Sequence, residues 1–132
     1  MQRMHGLHLT ADLRGCPATS PAMVDVQALR RLCLQAVAQA GLQPVGELFH
    51  GFAPLQPDAV APVVGVTGVV LLAESHLAVH TWPELGAVTL DVYVCNLHAD
   101  NSACAAGLLA ALEEAFAPQR SEHHRVLRGT LA

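Results

Sequence analysis

From Gly6 to Leu13 hydrophobic and polar positions alternate, with Leu7, Leu9, Ala11 and Leu13 on one side and His8, Thr10 and Asp12 on the other. A repeat of two is that of a half-buried strand. Arg14 to Ser20 contains Gly15, Cys16 and Pro17 and predicts a loop. Ser20 then stands as an N-cap, with Pro21 in the first helical position, where its missing N–H costs nothing. Val26, Leu29, Cys33, Ala36, Val37 and Ala40 come next at spacings of three and four, the pattern of one helix that Gly41 ends.

Val45 to Phe52 predicts a second strand. Ala53 to Pro62 carries three prolines in ten residues, which excludes a central strand and predicts a surface loop. Val63 to Ala73 is rich in Val and Leu and reads as a buried strand, with Gly65 and Gly68 marking close approach of other backbone. His76 to Trp82 predicts a strand, Pro83 to Gly86 a turn, and Ala87 to Cys95 a further strand. Asp100 or Asn101 caps a second helix, Ser102 to Phe116, whose Leu108, Leu109, Leu112 and Phe116 face inward; Pro118 comes just after its end. Arg125 to Leu127 suggests a short final strand.

Strands and helices do not alternate strictly, so the fold class is α+β. An antiparallel-rich sheet carries two helices on one face, a two-layer α/β sandwich. The second face is left for water or for a partner, and composition decides between them. Over half the chain, 52%, is hydrophobic and only 14% is charged, against a usual share of about a quarter. So few charges predict a homo-oligomer that buries the open face. The 132 residues form a single domain, 1–132. A net charge of -4 without a basic cluster argues against nucleic acid. No apolar run reaches about 18 residues and MQRMHGLHLT lacks a signal-peptide core, so no membrane is expected and the chain is expected in the cytoplasm. Cys16, Cys33, Cys95 and Cys104 show no metal-ligand spacing and read as free thiols.

Reactive side chains gather between Gly65 and Cys95, in GVTGVVLLAESHLAVHTWPELGAVTLDVYVC. Residue types alone allow a Cys95–His80 nucleophile pair, a Ser75–His80–acid hydrolase, or a metal site of His76, His80 and Glu84. No G-x-S-x-G elbow surrounds Ser75. Each residue also has a plainer role: Ser75 as a turn hydroxyl, Cys95 as a small buried hydrophobe, Trp82 as a corner filler, Glu84 as a solvated turn residue. Thr67 and Phe52 serve packing as readily as function. His5, His8, His50, His98, His123 and His124 have no evident partner in sequence.

ESHLAVHTWPE followed by a strand ending in Cys95 resembles the processing and active site of the prokaryotic S-adenosylmethionine decarboxylases, small pyruvoyl-dependent enzymes. GLHLTADL, ELFHGF and GVTGVVLLAESH are similar to that family's strands, and the likeness spans most of residues 4–116. It implies self-cleavage between Glu74 and Ser75, giving chains 1–74 and 75–132. Ser75 Oγ would attack the Glu74 carbonyl, and Ser75 would become the pyruvoyl group, the one cofactor implied, with no metal. That group would hold the small-molecule substrate as a Schiff base and take up the electrons left by CO₂.

The resemblance makes His80 the processing base, Thr67 a processing hydroxyl where the family has Ser, and Cys95 the general acid of catalysis. Glu84 would bind the substrate ribose, and Trp82 and Phe52 would line the pocket. It also implies a site built between two subunits and a product that serves spermidine synthesis. Ala53–Pro62 is longer than the family's loop and Gly51 departs from it, so L-ornithine or L-arginine on the same scaffold is an alternative substrate. A non-catalytic regulatory homologue is a second alternative, which joint retention of Ser75, His80 and Cys95 argues against.

Overall fold

Leu7, Leu9, Ala11 and Leu13 do share one buried face, on a nine-residue strand, β1 (Gly6–Arg14). The structure is a computed structural model describing residues 5–53 and 64–129. After β1 come α1 (Pro21–Val24), α2 (Val26–Gln39), β2 (Pro44–Gly51), β3 (Val66–Leu72), β4 (Ser75–Trp82), a 3₁₀ turn (Pro83–Leu85), β5 (Ala87–Cys95), α3 (Ser102–Phe116) and β6 (Arg120–Arg128). The strands form one sheet in the order β2-β3-β4-β5-β1-β6, antiparallel at every pairing. The predicted loop at residues 54–62 lies outside the described residues.

Alternation builds the core. Inward positions of β1, β3, β4 and β5 meet Leu29, Cys33 and Val37 of α2 and Leu108, Leu112 and Phe116 of α3 in one cluster. The α2 helix packs on β2 and β3, and α3 on β1 and β5. Burial pushes the Cys33 thiol up to about 12, so it stays protonated and inert. Among the described residues no helix covers the opposite face. It presents His8, Thr10 and Asp12 of β1, Thr67, Val69 and Leu71 of β3, His76, Ala78 and His80 of β4, and Thr89, Asp91 and Tyr93 of β5, nearly all half-buried. The two-layer α+β architecture predicted from the pattern is therefore the observed one.

Two predicted boundaries need correction. The helix expected from Pro21 onward is broken at Asp25, whose backbone is extended (φ -112°, ψ 116°) and whose carboxylate accepts the Gln27 N–H at 2.9 Å. An Asp side chain that competes for local backbone N–H groups ends one helix and caps the next, so the described residues hold three α-helices rather than two. The final strand runs Arg120–Arg128, well beyond Arg125–Leu127. It pairs with β1 alone and is exposed throughout, so no hydrophobic alternation marks it.

One buried polar residue joins the layers. The Thr81 hydroxyl donates to the Met23 carbonyl (2.8 Å) and accepts the Val66 N–H (2.9 Å). Thr81→Val keeps the shape and strands both groups, and is expected to cost about 1–3 kcal/mol. Urea unfolding of an uncleaved Ser75→Ala chain with and without the change measures it.

Candidate active site

Strand β3 turns into β4 through the two residues Ala73 and Glu74, with Leu72 paired to Ser75. Glu74 has φ 59°, left-handed backbone that a non-glycine residue adopts only at a cost. Ser75, first in β4, accepts the backbone N–H of Cys95 at its Oγ, 3.1 Å away. Cys95 ends β5, and its carbonyl accepts the Asn101 side-chain amide (2.9 Å). Asn101 N–H in turn donates to Asn96 Oδ1 (2.8 Å), closing the loop beyond Cys95. Asp100, the other predicted cap, bonds the Ser102 N–H at 3.0 Å, and that bond holds its carboxyl below the usual range. Asp100 thus caps α3 while Asn101 turns back to steady Cys95. Nothing in the sequence separated those two roles.

A second group lies at the other end of β4. Reflection about the hairpin tip places Thr67 opposite His80, and Thr67 Oγ1 stands 3.0 Å from His80 Nδ1. On the far side of Thr67 is His50 of β2, whose ring meets Phe52 edge-on at 4.9 Å. Trp82 is 6.0 Å from the His80 ring and partly exposed, as is Phe52. Glu84 sits on the exposed 3₁₀ turn, which Gly86 closes at φ 61° with its N–H on the Pro83 carbonyl. The Cys16 N–H bonds the Gly86 carbonyl (2.9 Å) and pins this turn to the loop after β1.

The predicted residues therefore form two constellations. Glu74, Ser75 and Cys95 make one; Thr67, His80, Trp82 and Phe52, with Glu84 nearby, make the other. Ser75 and His80 are five strand positions apart, roughly 16 Å, and on opposite sides of the pleat. A Ser75–His80 or Cys95–His80 nucleophile pair cannot form within one chain. His76 and His80 are about 13 Å apart along β4, too far to share an ion.

Histidines that lacked partners in sequence have them in the fold. His8 Nε2 is 3.0 Å from Asp91 Oδ1, and His123 Nε2 is 2.7 Å from Glu113 Oε2. His76 stacks on Tyr93 at 5.7 Å, one strand position from Ser75. The first and third pairings cross between strands and the second joins β6 to α3, contacts that the fold makes and no local pattern shows.

An antiparallel sheet layered by helices on one side, with a left-handed residue before a hydrogen-bonded serine at a hairpin tip, defines a small α+β protein with a candidate site at a turn. Comparison with known proteins is specific. The family described as S-adenosylmethionine decarboxylase matches residues 7–129, and the chain belongs to that family. It is 39% identical over 108 residues to the S-adenosylmethionine decarboxylase proenzyme of Symbiobacterium thermophilum, covering 82% of this chain and 74% of that one. With the proenzyme of that name from Thermomicrobium roseum it shares 35% identity over 126 residues, 96% of this chain and 95% of the other. The crystal structure of the adenosylmethionine decarboxylase from Aquifex aeolicus superposes with TM-score 0.80 at 32% identity, covering 100% of this chain and 96% of that one.

Proposed function

We propose that this chain is a self-processing, pyruvoyl-dependent decarboxylase of S-adenosylmethionine, working as a homodimer with sites shared between subunits. The observation that carries the reading is the hairpin tip. There Ser75 Oγ is held by the Cys95 N–H, directly after the left-handed carbonyl-bearing Glu74. Membership of a family whose relatives are named proenzymes supports it.

Ser75 Oγ attacks the Glu74 carbonyl, the C–N bond breaks and the hydroxyl proton passes to the Ser75 nitrogen, leaving an ester. Loss of the Ser75 α-proton then breaks the Oγ–Cβ bond and frees a chain ending in the Glu74 carboxylate. Water hydrolyses the remaining dehydroalanine, by way of its imine, to a pyruvoyl group and ammonia. A serine at the start of a strand, at the new chain's N-terminus, fits such a group. When formed, the pyruvoyl carbonyl supplies an electron sink for the pair that departing CO₂ leaves behind. Cys95, linked to Ser75 through its own N–H, delivers the proton that completes decarboxylation.

His80 and Thr67 serve cleavage in this scheme, and their roughly 16 Å separation from Ser75 requires them to come from a second copy. The open face supplies the surface. Leu48, Leu71 and Trp82 lie exposed on it beside few charges, and two such faces stacked face to face would cover them. Phe52, Trp82 and Glu84, at the His80 end, would then line a pocket beside the hairpin tip that carries the other chain's Ser75.

Mass spectrometry under denaturing conditions tests the processing. Two fragments, 1–74 and 75–132 with a pyruvoyl N-terminus, are expected, and a permanently intact chain would sink the proposal. Release of CO₂ measured with S-adenosylmethionine, ornithine and arginine side by side tests the substrate, with turnover expected only for the first.

A further inference from the structure

We propose that the left-handed backbone of Glu74 is a driving element of self-cleavage: conformational strain held at the bond Ser75 attacks and released when that bond breaks. The inference rests on the self-processing reading and adds a reason for the bond's lability.

Among the described residues two non-glycines have positive φ, Glu74 at 59° and Ala117 at 49°. Ala117 needs no special explanation. It caps α3, its N–H bonding the Glu113 and Glu114 carbonyls, and left-handed caps are how many helices end. Glu74 occupies the second central position of a two-residue hairpin, a place that Gly or Asn fills at positive φ. Its Cβ incurs a steric cost there on the order of 1 kcal/mol.

That conformation is enforced from both sides. Upstream, Leu72 is buried in the core and paired to Ser75, and Val70 pairs with Leu77 behind it. Downstream, the Cys95 N–H holds Ser75 Oγ, and Asn101 holds the Cys95 carbonyl. Neither flank can shift to let Glu74 relax, the condition under which strain survives in a fold.

Cleavage removes the constraint. As the Oγ–C bond forms and the C–N bond breaks, the hydroxyl proton moves to nitrogen and Glu74 becomes tethered through Oγ instead of through the hairpin backbone. After elimination it is a free chain end. The strain therefore weighs on the intact chain and much less on the ester and the cleaved chains, lowering the barrier to an acyl shift that amide resonance opposes.

The test tracks a pulse-labelled chain made by cell-free translation, reading the half-life of the intact form. Glu74→Gly and Glu74→Asn both accept positive φ, and Asn does so without glycine's added flexibility. Each is expected to slow cleavage about five-fold. Glu74→Gln keeps the strain and removes the charge, so it is expected to cleave faster than either the Gly or the Asn chain. In an uncleavable Ser75→Ala background, Glu74→Gly is expected to raise Tm by a few degrees. Ala117→Gly should raise Tm similarly and leave the cleavage half-life unchanged, separating strain at the bond from stability at large. Gly and Asn chains that cleave as fast as the original, or a Gln chain as slow as Gly, would overturn the proposal while leaving self-processing intact. An original chain that never cleaves would overturn both.

Discussion

Co-expressed Ser75→Ala and His80→Ala chains are expected to yield cleaved protein, whereas neither chain expressed alone should be cleaved. The expectation comes from the length of β4. Ser75 opens the strand and His80 lies five positions on, roughly 16 Å away and on the opposite side of the pleat. If a base and a nucleophile that far apart act together, they belong to different subunits. A mixed dimer then contains one intact site, Ser75 from the His80→Ala chain with His80 and Thr67 from the other, and one site lacking both. Random pairing makes half of the dimers mixed, so the His80→Ala chain is cleaved in part and the Ser75→Ala chain never. Intact-mass measurement of both chains, distinguished by a tag, reads the result directly. Cleavage of the His80→Ala chain alone would contradict its assigned role, and failure of the mixture would contradict the shared site.

Cys95→Ala should leave cleavage standing and remove decarboxylation. The Cys95 contact with Ser75 is made by its backbone N–H, which alanine retains, so the hydroxyl keeps its hydrogen bond and the chain still processes. What disappears is the thiol proposed to return a proton to the substrate carbon, a role worth about 10²- to 10⁴-fold in rate. CO₂ release at saturating S-adenosylmethionine is expected to fall by that factor while mass spectrometry shows both fragments. A variant that neither cleaves nor turns over would move Cys95 into the processing step. Normal turnover would remove it from catalysis.

Much of the fold was legible in the chain, for identifiable reasons. Alternation at Leu7, Leu9, Ala11 and Leu13 marks β1 because a one-sided core requires a period of two. Ala87–Cys95 and Ser102–Phe116 were bounded correctly, since Gly86 ends the turn before the one and Asp100 caps the other. The break at Asp25 was hidden because Asp is also tolerated inside a helix, and β6 because an exposed edge strand carries no hydrophobic code. The pairing of Thr67 with His80 was nearly within reach, as a tip at Ala73–Glu74 places them opposite one another. But that tip holds no Gly, Pro or Asn, so its position left no turn signal. The same lack of Gly or Asn leaves Glu74, a non-glycine residue, at φ 59°.

The sequence by itself determined the α+β class and the core faces and, through resemblance, pointed to the residues proposed to carry the chemistry. Those depend on local periodicity and on residue identity, both of which are written along the chain. Only the tertiary structure decided which of those residues meet. It joined Ser75 to Cys95, joined Thr67 to His80, and held the two pairs apart at opposite ends of β4. Distance across a sheet depends on strand order and register, set by packing between distant segments such as those of His8 and Asp91, 83 residues apart, and no local pattern encodes them.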